Sequence, residues 1–158
     1  NTDVTVQIED LGASQHDTSS EGRKLMQDRI WQDRRFTDCT VTCGSSEFRC
    51  HRAVLANASA VWQTALESSF REGRDAKLRI DDAHPGVVEA VLKYAYTFEF
   101  ECDDAAAALG LAHRYEMPSL VAVCAQQMLE DVTAENVAKI ASTMNVYLQH
   151  EEVAKVWP

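Results

Sequence analysis

The chain has 158 residues, of which 46% are hydrophobic and 25% are charged, which suits one domain with a single core and excludes wholesale disorder. Its 25 acidic and 15 basic residues give a net charge of −10, so nucleic acid is not an expected partner, because phosphate binding needs clustered Lys and Arg. Neither an apolar run of roughly 18 residues nor the basic and apolar regions of a secretory signal occurs, so no membrane partner is expected.

The first twenty residues predict a strand and a linker. Residues 4–8 alternate apolar and polar side chains, as a half-buried strand does. This strand is either the last strand of a preceding domain or an arm that pairs with a second subunit. Residues 9–20 lose the alternation and are rich in Gly, Ser, Asp and Thr, which predicts a linker.

A charged helix is predicted from about Ser20 to Asp33, with Ser20 as a suitable N-cap. Its apolar residues form a narrow stripe on an otherwise charged rod. They are Leu25, Met26, Ile30 and Trp31.

Residues 36–59 carry the most informative motif. Phe36, Thr37 and Asp38 begin a strand, a tight turn follows, and a second strand leads at His51 into a short apolar helix. This order resembles the opening of a BTB/POZ domain, in which a Phe-Thr-Asp strand pairs with a strand that ends in a His-(Lys/Arg)-x-(Val/Ile)-Leu-Ala segment. The resemblance implies a protein-assembly module rather than a catalyst.

The remaining chain predicts several helices and one further strand, over residues 77–80. The helices begin near residues 60, 84, 104, 118, 133 and 151. Asp103 or Asp104 is the expected cap of the third, and Pro118 suits the N1 position of the fourth. Residues 98–100 look strand-like. The order predicts an α+β fold, a small mixed sheet capped by helical hairpins.

The resemblance extends over roughly residues 20–157. Ile30 to Asp38 looks especially like the BTB domains that follow a MATH domain in speckle-type POZ protein-like adaptors. It implies three parts: an N-terminal strand and linker at 1–19, a BTB/POZ domain at 20–130, and 3-box or BACK-like helices at 131–158. It also implies a homodimer whose interface is built on the apolar stripe of the first helix, Leu25, Met26, Ile30 and Trp31.

Five cysteines, an odd number, suit free thiols in a reducing compartment better than a disulfide framework. We therefore expect a nuclear or cytoplasmic protein. Cys39, Cys43, Cys50 and His51 resemble a metal set only superficially. On an extended strand Cys39 and Cys43 stand about 13 Å apart, whereas both thiolates of a zinc site lie about 2.3 Å from the ion. No metal is expected.

The sequence gives no support to catalysis. It has no nucleophile elbow, no Gly-rich phosphate loop before a helix and no His-Glu-x-x-His motif. His51 reads as a core histidine with a local hydrogen bond, for which Asp38 is the expected partner. We therefore expect no enzyme, no cofactor and no small-molecule substrate.

Three patches are candidates for binding cullin-3. Phe70 and Glu72 lie in an expected surface connection and match the hydrophobic-x-Glu motif that BTB adaptors carry there; an aromatic in such a loop is either a local plug or a binding anchor. Tyr115 and an exposed Met117 would extend this surface. Ile140 and Met144 either pack in an ordinary hairpin or line a 3-box groove for a cullin N-terminal extension.

Two hypotheses follow. The first is a homodimeric substrate adaptor of a cullin-3 ubiquitin ligase, which the motif at residues 70–72 and the helices after Thr133 favour. The second is a BTB scaffold that only self-associates or binds co-regulators. A tetramerising channel-type domain is a more distant third option.

Overall fold

The computed structural model describes residues 11–68 and 71–156, with side chains described from residue 18 onward except at 71 and 72. Its helices are α1 Leu11–Asp33, α2 Arg52–Ala58, α3 Ala60–Glu67, α4 Arg71–Asp75, α5 Pro85–Thr97, α6 Ala105–Arg114, α7 Pro118–Glu130, α8 Val137–Val146 and α9 Glu151–Val156. Its strands are β1 Cys39–Cys43, β2 Ser46–Cys50 and β3 Lys77–Arg79. The predicted strand at residues 4–8 lies outside the described residues.

The three strands form one mixed sheet in the order β2-β1-β3. β1 and β2 make an antiparallel hairpin in which Cys39 faces Cys50, and the turn uses Gly44 at a φ of 57°, where a side chain would be strained. β3 pairs with β1 in parallel, Thr40 opposite Lys77. The predicted α+β class is confirmed.

One hydrophobic core joins the sheet to the helices. Its largest fully buried side chains come from β1 and from seven of the helices: Val41, Leu55, Trp62, Leu66, Val88, Val91, Leu92, Leu109, Leu120, Val121, Met144 and Val153. Met144 in α8 and Val153 in α9 belong to the same cluster as the sheet residues. The C-terminal helices therefore pack on the domain instead of projecting from it.

Two helix starts were correctly predicted. The Asp104 side chain accepts a hydrogen bond from the backbone N–H of Ala107 at 3.0 Å and caps α6, and Pro118 opens α7. The predicted start of α1 is wrong, since the helix begins at Leu11 instead of Ser20. The polar residues 11–20 have no apolar periodicity to signal a helix, yet extending an existing helix adds one hydrogen bond per residue.

Phe98 corrects the strand-like expectation for residues 98–100. It caps the C-terminus of α5 in the left-handed conformation, with φ 58° and ψ 12°, and its N–H donates to the Tyr94 carbonyl at 2.9 Å. The Thr97 hydroxyl accepts from the next N–H, that of Glu99. The turn after α5 is thus closed by helix-capping bonds, and residues 98–104 add no strand.

The expected bond between His51 and Asp38 is also wrong. Asp38 accepts a hydrogen bond from the backbone N–H of Arg52 at 2.7 Å. The His51 ring instead joins Tyr96 to Arg35: Nδ1 lies 2.8 Å from the Tyr96 hydroxyl and Nε2 lies 2.5 Å from the Arg35 carbonyl. Because that carbonyl can only accept, Nε2–H is the donor and Nδ1 accepts from Tyr96.

Candidate interaction surfaces

The stripe on α1 presents three exposed apolar side chains. Leu25 is 58% exposed, Met26 57% and Ile30 38%. α1 lies along α5, and the ion pair between Lys24 and Glu99, 2.8 Å long, ties it to the turn that follows α5. Leu25, Met26 and Ile30 remain exposed beside these contacts, and exposed apolar side chains grouped on a charged helix are typical of an interface.

Trp31 does not belong to this exposed face. Its ring packs against Tyr96 of α5 with 5.3 Å between ring centroids, and the Arg34 guanidinium covers it at 3.7 Å. Arg34 also donates to the Arg49 carbonyl at 2.6 Å. These contacts hold the end of α1 on the domain and leave Trp31 half-buried, whereas its predicted part in a dimer stays a prediction.

The first predicted cullin patch lies between α3 and β3. Phe70 lies outside the described residues, and so does the side chain of Glu72, whose backbone belongs to α4. α4 packs against α3. Gly73 fixes this approach: a Cβ built there would stand 1.9 Å from the Ser68 carbonyl oxygen, closer than any real contact.

Tyr115, in the second patch, is half-buried at the end of α6. Its ring packs on Trp62 of α3 with 5.1 Å between centroids, and its carbonyl accepts from the Ser59 hydroxyl at 2.5 Å. Burial raises the pKa of the Tyr115 hydroxyl, partly offset by the nearby Arg114. α3 thus connects the Tyr115 patch to α4, which carries Glu72.

The other three residues proposed for this surface are buried. Met117 is 2% exposed, Ile140 7% and Met144 0%. The expected exposure of Met117 is wrong because its N–H turns back to the Ala112 carbonyl at 2.8 Å, which carries the side chain into the core. The burial of Ile140 and Met144 favours the alternative interpretation, an ordinary packed hairpin.

An exposed ion pair borders the Tyr115 patch. Arg114 donates to Asp82 at 2.7 Å. This hydrogen bond is the main reason that the pKa of the Asp82 carboxyl lies below its ordinary value. Sequence reasoning missed this pair, and it missed Trp62 as the support of Tyr115, since residues so far apart in the chain give no local signal.

All five cysteines are free thiols, and only Cys102 is not buried. In the described part of the chain, no group of three or more His, Cys, Asp or Glu side chains has an arrangement that could hold a metal. None of the described helices has both the length and the apolar character needed to cross a membrane.

A small mixed sheet with flanking helical hairpins, preceded by a charged helix that exposes a few apolar side chains, is typical of one class of domain. The family model of the BTB/POZ domain matches residues 28–132, and the chain belongs to this family. BTB domains are protein-interaction domains and generally not enzymes, so protein binding is the activity that the fold carries.

Kelch-like proteins are among the relatives that the chain matches. The chain is 33% identical over 115 residues to human Kelch-like protein 40 and 25% identical over 117 residues to Kelch-like protein 41 of Rattus norvegicus, matches that cover 66% and 71% of this chain. It spans only 18% and 19% of those proteins. Among solved structures, the BTB domain of zebrafish PATZ1 has the same fold, with a TM-score of 0.57 and 22% identity over 82% of this chain and 100% of that one.

Proposed function

We propose that this domain forms a homodimer through α1 and recruits cullin-3 through the surface between α3 and α4, as an adaptor of a ubiquitin ligase. The dimer would bury Leu25, Met26 and Ile30, which are exposed in the single chain. The cullin surface would use Phe70 and Glu72 as anchors, with Tyr115 beside them.

One observation carries the cullin part of the proposal. α3 contacts both α4, which bears Glu72, and Tyr115, through Trp62. Two motifs that are more than forty positions apart in the sequence therefore adjoin the same helix. An interface centred on an aromatic anchor needs such a rigid surround, because supporting contacts keep water from the anchor.

Binding to a cullin-3 N-terminal domain tests the proposal by calorimetry. Truncating a central aromatic anchor typically costs about 2–4 kcal/mol, so Phe70→Ala should weaken binding by roughly 30- to 1000-fold. Phe98→Ala is the matched control, because it removes an exposed aromatic at the end of α5 and should leave the affinity unchanged.

Thermal unfolding of the same variants distinguishes a binding role of Phe70 from a structural one. A loop anchor contributes little to folding, so Phe70→Ala should retain the melting temperature of the parent chain. If this variant binds normally but melts several degrees lower, Phe70 is a structural plug and the motif is a coincidence. A parent domain that does not bind at all would also contradict the proposal.

One observation favours a second candidate, a scaffold that self-associates without cullin-3. Ile140 and Met144, the residues predicted to line a 3-box groove, are buried, which favours a domain without that added groove. The scaffold would still dimerise through α1. The calorimetric experiment separates the two candidates, because only the adaptor binds the cullin domain.

Three finer assignments remain proposals. The likeness of residues 30–38 to BTB domains that follow a MATH domain supports a substrate-binding domain elsewhere in the full protein, whereas the reported curated relatives are Kelch-like. The free thiols support a reducing compartment, the nucleus or the cytoplasm. Residues 131–158 are proposed as 3-box or BACK-like helices.

A further inference from the structure

An apolar groove lies away from the patches already described. It has a volume of about 520 Å³ and runs beside α7, between the turn after α5 and the end of α9. Its apolar lining comes from Phe100, Ala122, Val123 and Val156. We call it the apolar groove; its size is within the range of about 300–1,000 Å³ usual for binding sites.

A second groove of about 460 Å³ lies between α1 and α5. Its lining includes four carboxylates and a single lysine: Asp28, Glu89, Glu99, Glu101 and Lys93. We call it the acidic groove. Glu101 lines both grooves, so the apolar groove and the acidic groove adjoin at this residue.

The charges around the two grooves are poorly balanced. Glu99 pairs with Lys24, whereas Asp28, Glu89 and Glu101 form no ion pair with any described residue. Glu130, at the edge of the apolar groove, accepts only an amide hydrogen bond, from Gln126 at 3.0 Å. In a chain of net charge −10, such a concentration of carboxylates attracts cations.

The geometry points to a docking site for an amphipathic segment of a partner protein, which inserts apolar side chains into the apolar groove and places Lys or Arg along the acidic groove. A helix laid in a groove binds through such an apolar face, and complementary charges at the edge fix its direction and speed its association. Of the described side chains predicted to contact cullin-3, Tyr115, Met117, Ile140 and Met144, none lines either groove, so this site is distinct from the described part of the proposed cullin-3 surface.

A synthetic amphipathic peptide with Leu on one face and Lys on the other is a direct probe. Titrated into the ¹⁵N-labelled protein, it should shift the amide resonances of Val123 and Gln126 and bind saturably by fluorescence anisotropy. The same peptide with Glu in place of Lys should not bind. The double variant Glu101→Lys and Glu130→Lys should bind the Lys peptide with an affinity lower by about tenfold or more.

The matched control is the double variant Glu21→Lys and Glu135→Lys, which changes the net charge equally at exposed positions outside both grooves. It should alter the affinity by no more than about twofold. An equal loss in both double variants would mean non-specific attraction and overturn the proposal, as would a parent chain that fails to bind. So would a Val123→Glu variant that binds the peptide normally but loses self-association in sedimentation, because a second copy would then cover the groove.

Discussion

The Phe98 ring meets the Tyr94 ring edge-on, with 5.7 Å between centroids and planes at 73°. Phe98 makes this contact from a left-handed backbone conformation, which residues other than Gly adopt at a cost of roughly 1–2 kcal/mol. It is nevertheless 62% exposed. Two opposing effects therefore act at one residue: packing on Tyr94 favours the aromatic ring, and the backbone favours Gly.

Two substitutions at this position separate these effects. Phe98→Ala and Phe98→Gly both remove the ring, but only Gly relieves the backbone. We expect the Gly variant to be about 0.5–1 kcal/mol more stable than the Ala variant in urea unfolding, although Gly usually loses to Ala through the entropy of the unfolded chain. An Ala variant that is as stable as the Gly variant would mean that the turn relaxes out of the left-handed region.

Gly73 should tolerate no side chain. A Cβ there would meet the Ser68 carbonyl oxygen at 1.9 Å and the Leu66 carbonyl oxygen at 3.2 Å, both backbone atoms that cannot rotate away. We expect Gly73→Ala to lower the free energy of unfolding by more than about 1 kcal/mol through the shift of α4. Gly22→Ala is the control, since nothing lies within 4 Å of its Cβ and Ala favours a helix by about 1 kcal/mol.

A charge in the α1 stripe should dissociate the dimer. Ile30→Asp places a carboxylate in an apolar interface, which costs several kcal/mol, roughly, when the group cannot reach water. Sedimentation at micromolar concentration should then give a species near 17.6 kDa. Ser20→Asp makes the same change in net charge on the same helix and should preserve the dimer. A parent chain that sediments only as a monomer would refute the self-association.

The stability should fall in alkaline solution. Burial raises the pKa of Cys39 to about 12 and that of Cys50 to about 11, from an ordinary value of 9.0. The folded state therefore keeps thiols protonated that the unfolded chain ionises, so their contribution is complete below pH 9 and is lost as pH rises through the folded values. We expect a lower melting temperature at about pH 10.5 than at about pH 8, and a weaker pH dependence in Cys39→Ala.

The same burial should protect the thiols from alkylation, because the thiolate is the reactive form. Iodoacetamide at neutral pH should modify native Cys39, Cys50 and Cys124 slowly, whereas all five cysteines should react in urea without a reductant. Cys102, which alone is not buried, serves as the internal comparison. A mass corresponding to three modified thiols in urea would reveal a disulfide.

The features that sequence predicted well depend on neighbouring residues. Pro118 at a helix start and the Asp104 cap need only local chemistry, and the β1–β2 hairpin follows from alternation around Gly44. The errors concern choices made by distant contacts. His51 bonds Tyr96, 45 positions away, instead of Asp38. Met117 is an exception, because a helix-end hydrogen bond to Ala112, only five residues earlier, draws it inward.

The strand order β2-β1-β3 leaves two outer borders with unpaired backbone groups among the described residues, one along β2 and one along β3. Exposed borders of this kind recruit strands from other molecules and lead to aggregation. Both carry charged side chains that alternate with the buried ones, Glu47 and Arg49 on β2 and Lys77 and Arg79 on β3. Charged side chains on an edge strand disfavour its pairing with a strand of another molecule. Chains at high concentration are therefore steered towards contacts made by their helices.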